Sequence, residues 1–229
     1  MNHILDNPAW NALISQNSDL ALGNEEIRYF PQEISPFAGL KNVNAEALRD
    51  LSGMLPASCV VAIVTAEEFP VPESWKILFQ ASLFQMTCEN YQPGTSSPPD
   101  FVPLGKEHVG QMLALTKLTN PGPFAERTIE FGHYSGIFQD DQLIAMAGQR
   151  LHAFHYAEIS AVCTHPAHSG KGYGTALVRQ QAERILGSGN IPFLHVRKDN
   201  LNAIKIYEQL GFSIRREMNF CVIRRREGG

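Results

Sequence analysis

The chain has 229 residues, 44% of them apolar and 18% charged, with a formal net charge of −4, enough to build one large domain or two small ones around a true core. An acidic balance, with an isoelectric point near 6.1, argues against nucleic acid as a partner, because nucleic-acid-binding surfaces are ordinarily basic. The most apolar segment, Cys59 to Val64, is far too short to cross a bilayer, so no membrane partner is expected.

The opening residues, Met1-Asn2-His3-Ile4-Leu5-Asp6, have neither the basic nor the apolar region of a signal peptide. Cys59, Cys88, Cys163 and Cys221 are scattered without a C-x-x-C pair, a usage that suggests reduced thiols and a cytoplasmic setting. Arg215, Arg216, Arg224, Arg225 and Arg226 gather near the end. They read more simply as a solvated strand end than as a phosphate patch.

Asp6-Asn7-Pro8 predicts a helix start, with a capping side chain and proline at the first helical position, running into Trp10, Leu13 and Ile14. Short strands are predicted at Leu20 to Leu22 and Ile27 to Phe30, around Gly23-Asn24. Asn44 is placed to cap a helix carrying Ala45, Leu48 and Leu51, with Gly53 after it. Val60 to Thr65 has the short, continuous, β-branched character of a buried strand. For Trp75 to Thr87 the periodicity leaves strand and helix open. Tyr91 to Asp100 holds three prolines, a glycine and three hydroxyl residues, which make a poor core and a good connector. The expected organisation is therefore an N-terminal α/β region over 1–92, a linker at 93–100, and a second domain over 101–229.

In the second part, a strand is predicted from Phe101 to Leu104 and a helix from Glu107 to Leu118, followed by an irregular loop from Thr119 to Phe124. His133 to Gln139 and Leu143 to Leu151 flank a hairpin turn at Asp140-Asp141. Tyr156 to Thr164 is a strand that feeds His165-Pro166-Ala167-His168-Ser169-Gly170-Lys171-Gly172-Tyr173-Gly174-Thr175, and a helix follows until Gly187. Phe193 to Val196 is a strand, Asn200 to Leu210 a helix closed by Gly211, and Ser213 to Ile223 a final strand pair.

The glycine turn between strand and helix suits an anion. Glycines admit close backbone approach, and successive N–H groups from Gly170 to Thr175 can converge on phosphate oxygens at the positive end of the helix. It is not a Walker A loop, since Lys171 is followed by Gly172 rather than serine or threonine. It is not the dinucleotide fingerprint either, because Gly170, Gly172 and Gly174 give G-x-G-x-G and hairpins precede the turn.

The turn, taken with Asn200-Leu201-Asn202-Ala203-Ile204-Lys205-Ile206-Tyr207-Glu208-Gln209-Leu210-Gly211-Phe212, resembles the GNAT superfamily of acetyl-CoA-dependent N-acetyltransferases over roughly Phe101 to Arg226. The family signature reads [QR]-x-x-G-x-[GA], then N-x-x-A-x-x-x-Y-x-x-x-G-F. Gly172 and Gly174 match its glycines, whereas Ser169 stands where glutamine or arginine is usual. The resemblance implies an α/β (α+β) fold with a mixed, mostly antiparallel sheet flanked by helices, beside the smaller N-terminal α/β region. It implies acetyl-CoA as co-substrate, held at Gly170, Lys171, Gly172, Tyr173, Gly174 and Thr175, with Val162, Cys163 and Thr164 running beside the pantetheine arm. Asn200 matches the asparagine that bonds that arm, leaving Asn202 as a local cap. Tyr207 matches the tyrosine that protonates the departing thiolate.

Acetyl transfer needs a neutral amine, an oxyanion stabiliser and an acid for the sulfur. Tyr207 suits the acid. Backbone amides near Cys163 are implied for the oxyanion, and the thiol of Cys163, within a strand, suits a small buried residue better than a nucleophile. Glu158 and His195 are rival bases, the second having an ordinary pKa suited to neutral pH; loss of the proton to water is the third route. His152/His155 and His165/His168 lack the partners of a metal site, so none is expected. Phe124 and Arg127 lie where the family shapes its acceptor pocket. The expected activity is direct transfer, in a ternary complex, to the primary amine of a small molecule or peptide. The competing class is an acyl-CoA-binding module without catalysis.

Overall fold

A computed structural model describes residues 3–94 and 99–226; residues 95–98, half of the expected linker, lie outside the described residues. After a 3-10 turn at Ile4–Asp6, Pro8 opens α1 (Pro8–Leu13). Asn7 does not cap that helix, because its amide donates to the Leu40 carbonyl at 2.7 Å. β1 (Leu22–Gly23), β2 (Ile27–Tyr29) and β3 (Ala38–Leu40) form a small antiparallel sheet. Asn24 closes its first turn by accepting from the Glu26 and Ile27 amides at 2.9 Å.

α2 (Ala45–Met54) starts as expected, with Asn44 accepting from the Ala47 amide at 2.9 Å, but it runs past Gly53. Then come β4 (Val60–Thr65) and β5 (Trp75–Thr87), so the segment of open periodicity is one strand of 13 residues. The chain continues through β6 (Val102–Pro103), α3 (Val109–Thr119), β7 (Ser135–Gln139), β8 (Gln142–Ala153) and β9 (Tyr156–Thr164). Asp140 and Asp141 both take left-handed dihedrals, φ 51° and 61°, in the tight turn between β7 and β8. α4 (Tyr173–Gly187), β10 (Ile191–Arg197), α5 (Leu201–Gln209) and β11 (Ser213–Arg225) complete it.

Eight strands make one sheet in the order β4-β11-β5-β10-β9-β8-β7-β6, and its ladders are antiparallel except the one between β9 and β10. The final strand pair expected from Ser213 to Ile223 is therefore a single strand. Nothing in Arg215-Arg216-Glu217 supplies a turn, and the two edges of β11 are taken by β4 and β5. Strands from both sides of residues 93–100 share this sheet, and β5 lies between β10 and β11.

α4 and α5 cover one face, packing Val178, Ala182, Ile185, Ile204 and Leu210 on Met86, Ile159, Leu194 and Val196. The other face takes α1 and α3, with Leu5, Leu13, Met112 and Leu115 against Met146, Phe193 and Met218. The terminal arginines are spent locally: Arg216 bonds Glu67, Arg225 the Leu55 carbonyl and Arg226 the Trp75 carbonyl. A fragment beginning at Phe101 would leave β10 and β11 without the strand between them. It is expected to lose the cooperative thermal transition of the full chain, followed by circular dichroism; a sharp transition in the fragment would mean that β10 and β11 close on each other unaided.

Candidate functional site

β9 and β10 share a ladder only where Ile191, Pro192 and Phe193 meet Tyr156, Ala157 and Glu158. Beyond it β10 stays with β5 through Arg197, β9 stays with β8 through Thr164, and the two part. From Ile159 to Thr164 the edge of β9 that faces β10 is thus unpaired. A bulge sharpens the parting: Ala161 has φ 53°, and the register to β8 jumps between Gly148–Ser160 and Met146–Cys163. Val162 consequently packs with the α4 and α5 cluster while Ala161 and Cys163 turn into the opposite core.

Thr164 leads to the glycine turn. Gly170 and Gly172 are left-handed, φ 78° and 80°, and a Cβ at either would meet nothing within 4 Å, so open space lies beside both. Gly172 is the N-cap of α4, whose first N–H groups lack a carbonyl one turn earlier. The N–H groups of Gly170 and Lys171 donate to no carbonyl of the described residues. Lys171 is exposed; Tyr173, Gly174 and Thr175 are half-buried. Unpaired amides, a helix N-terminus and free space fit the pyrophosphate of a coenzyme A, and the open edge of β9 fits an extended, amide-bearing arm.

Asn200 is exposed and accepts from the Ala203 amide at 3.2 Å, so it is the cap of α5, a role expected of Asn202. Tyr207 borders the same apolar cluster as Val162, with Phe212 at 6.1 Å between ring centres. Burial pushes its phenol up to about 12. Burial also raises the Cys163 thiol to about 11, which makes it inert as a nucleophile at neutral pH.

The two rival bases meet in the crotch of the fork. Glu158 is fully buried and accepts from Arg150 Nε at 2.9 Å, from Arg150 Nη2 at 2.7 Å and from His195 Nδ1 at 2.8 Å. Burial opposes its charge, yet the Arg150 guanidinium and the His195 bond hold its carboxyl far below the usual range. His195 Nε2 lies 3.0 Å from the Gln85 amide nitrogen, Gln85 Oε1 accepts from Arg215 Nε at 2.5 Å, and Arg215 Nη2 donates to Asp6 at 2.7 Å. This row crosses β8, β9, β10, β5 and β11 at one level. Arg150, Gln85, Arg215 and Asp6 are not anticipated from the motifs, although a charged or amide side chain inside an apolar strand, as in Gly148-Gln149-Arg150-Leu151 and Leu83-Phe84-Gln85-Met86, is a signal of buried polar pairing.

The acceptor-loop candidates divide. Phe124 packs edge-on against Tyr134 at 5.8 Å, whereas Arg127 is bound to Glu130 at 2.6 Å and Glu33 at 3.0 Å and ties the loop to the N-terminal region. His165 accepts from the Ala167 amide in the turn, and His152 is half-buried, a partial desolvation that with the neighbouring His133 lowers its pKa to about 4. Among the described residues no three metal-ligating side chains gather, and no helix is long and apolar enough to cross a membrane.

This arrangement, a parallel fork with a glycine turn at its open end, is shared with solved acetyltransferase structures. A sequence model of FR47-like proteins matches residues 134–221. A solved GNAT-family structure from Novosphingobium aromaticivorans is 32% identical, covering 99% of this chain and all of that one with a TM-score of 0.91. The chain belongs to the GNAT family. A GCN5-related N-acetyltransferase of Kribbella flavida shares the fold at 14% identity, with 96% of each chain covered and a TM-score of 0.61. The N-alpha-acetyltransferase RimI of Mycobacterium tuberculosis is 32% identical over 84 residues; the match takes 35% of this chain and spans about half, 51%, of that relative.

Because the folded Glu158 carboxyl ionises below its ordinary value of 4.5, its stabilisation is complete above that pH and is lost as pH falls toward the folded value. Glu158→Gln should flatten the acid limb of a plot of Tm against pH. Arg150→Met, which strands a buried carboxylate, should cost about 3–5 kcal/mol in urea unfolding near pH 7. Equal acid limbs in the wild type and Glu158→Gln would sink this account of the pair.

Proposed function

We propose that the chain moves an acetyl group from acetyl-CoA to the primary amine of a small molecule or peptide, by direct attack in a ternary complex. The observation that carries this reading is the conjunction of the open β9 edge with the unpaired amides of Gly170 to Thr175. The turn and the first turn of α4 hold the pyrophosphate through backbone N–H groups, and Val162, Cys163 and Thr164 pair with the pantetheine arm. The thioester then lies in the fork, with Tyr207 on the side of α4 and α5 and the acceptor arriving from the side of α1 and α3. Asn200 keeps its amide nitrogen free for the arm while its oxygen caps α5.

As the amine nitrogen bonds to the carbonyl carbon, the carbon–sulfur bond breaks and the sulfur takes the Tyr207 proton, while the proton that the acylated nitrogen sheds to solvent balances the one the Tyr207 phenolate takes back. Burial keeps that phenol protonated, and the same burial raises the basicity of a thiolate beside it. RimI is by name an N-alpha-acetyltransferase, which supports including peptide N-termini among the amines tested.

A panel of amines and peptides, followed by thiol release from acetyl-CoA, tests the activity; acetyl-CoA turnover by no member of a broad panel would count against catalysis. Tyr207→Phe is expected to lower turnover by about 10²–10⁴-fold with acetyl-CoA affinity unchanged, and undiminished turnover would remove Tyr207 as the acid. Gly174→Asp should weaken acetyl-CoA binding by charge rather than by bulk, since a Cβ there meets Thr164 Oγ1 at an ordinary 3.6 Å. Unweakened binding, measured by calorimetry, would misplace the cradle.

A further inference from the structure

The Gln85 side chain, contributed by β5, is fully buried, and each of its polar atoms has a partner. Arg215 offers only donors, so the oxygen end of the amide faces it at 2.5 Å. The nitrogen end then has two hydrogens to place. One goes to the Leu5 carbonyl at 3.0 Å, and the other is aimed at His195 Nε2, also at 3.0 Å. A ring nitrogen that accepts a hydrogen bond carries no proton of its own, so the imidazole proton sits on Nδ1, where Glu158 Oε1 accepts it at 2.8 Å. The two demands agree: the carboxylate requires a donor at Nδ1, and the amide requires an acceptor at Nε2.

We propose that Gln85 is a positioning residue that fixes His195 as the Nδ1–H tautomer with a capped Nε2, withdrawing both His195 and Glu158 from proton transfer. The inference rests on the acetyl-transfer reading for its catalytic meaning. In a carboxylate–imidazole pair the far nitrogen is ordinarily the basic end that takes a substrate proton. Here that nitrogen is covered by an amide hydrogen. Around the ring stand Arg150 from β8 paired with Glu158 from β9, and Arg215 from β11 paired with Asp6, which Arg216 also reaches at 3.5 Å while bonding Glu67. The acceptor ammonium therefore loses its proton to solvent, and the amine that attacks is already neutral.

Long-range ¹⁵N–¹H correlation of histidine-labelled protein at pH 8 reads the tautomer directly, with His195→Phe identifying the resonances. The wild type should carry its proton on Nδ1 and show a bare, hydrogen-bonded Nε2. Gln85→Met, which removes the donor at similar length, should leave the Nδ1 proton and shift the Nε2 resonance. Gln85→Glu, which puts a carboxylate 3 Å from Nε2, should protonate both nitrogens. A proton on Nε2 in the wild type, or an Nε2 resonance unmoved in Gln85→Met, overturns the proposal; a side chain that only filled space would produce that second result. If Gln85→Glu does not fold, Gln85→Met and the wild type decide alone. None of these spectra needs a substrate, so failure of the amine panel and failure of the tautomer assignment are separate results.

Discussion

The parting of β9 from β10 after Glu158 and Phe193 is the constraint from which the rest of the site follows. Two strands that separate in mid-sheet leave backbone donors and acceptors without a ladder, and buried ones are costly unless something else pairs with them. The open end of the fork can be left to water or to an extended ligand. The crotch cannot, because it is covered by Leu5 and by the core around Phe193. There the chain uses side chains instead: Arg150, Glu158, His195, Gln85 and Arg215 bond one another across five strands. Such a cluster is tolerable in a dry interior only when its donors and acceptors are matched. The price of keeping the fork open is thus a nearly complete polar row at its base.

That row also explains why the N-terminal region matters to a site whose motifs all lie after residue 101. β5 separates β10 from β11 and carries Gln85 to His195. The first turn supplies the Leu5 carbonyl and Asp6, which fix the two ends of Gln85 directly and through Arg215. Phe37, just before β3, lies under the Arg150 guanidinium at 4.5 Å, a favourable cation–π distance. Every member of the row therefore touches a residue from the first half of the chain or a neighbour that does.

What could be read from the sequence divides along the same line. The turn at Gly170, Gly172 and Gly174 and the hairpin at Asp140-Asp141 are local, and local chemistry announces itself in spacing, although the cap of α5 falls to Asn200 rather than to Asn202. β4 was likewise legible at its observed bounds, Val60–Thr65, because a short β-branched run between polar segments has few alternatives. The partner of β11 was not legible. Ser213 to Ile223 is long enough for a hairpin, and only the insertion of a strand from more than a hundred residues earlier shows that it is one continuous element. Asn7 misled for a related reason: its side chain had a competing partner, the Leu40 carbonyl, that no local pattern reveals. Glu158 and His195 were both visible as polar residues in strands, but their mutual bond depends on the parallel register that puts Phe193 opposite Glu158.

The same contrast separates the two faces of the fork chemically. On the side of α4 the groups on offer are backbone amides beside the left-handed glycines, which in the proposed reading suit phosphate and peptide-like arms whatever the surrounding side chains are. On the side of α1 and α3 the surface is made of side chains drawn from several strands and from the N-terminal region. A family can therefore keep its donor half with little more than three glycines and an unpaired strand, while the acceptor half is free to differ from member to member. The overlap with RimI takes only 84 residues, whereas Arg150, Phe37 and Tyr134 are brought together only by the whole chain.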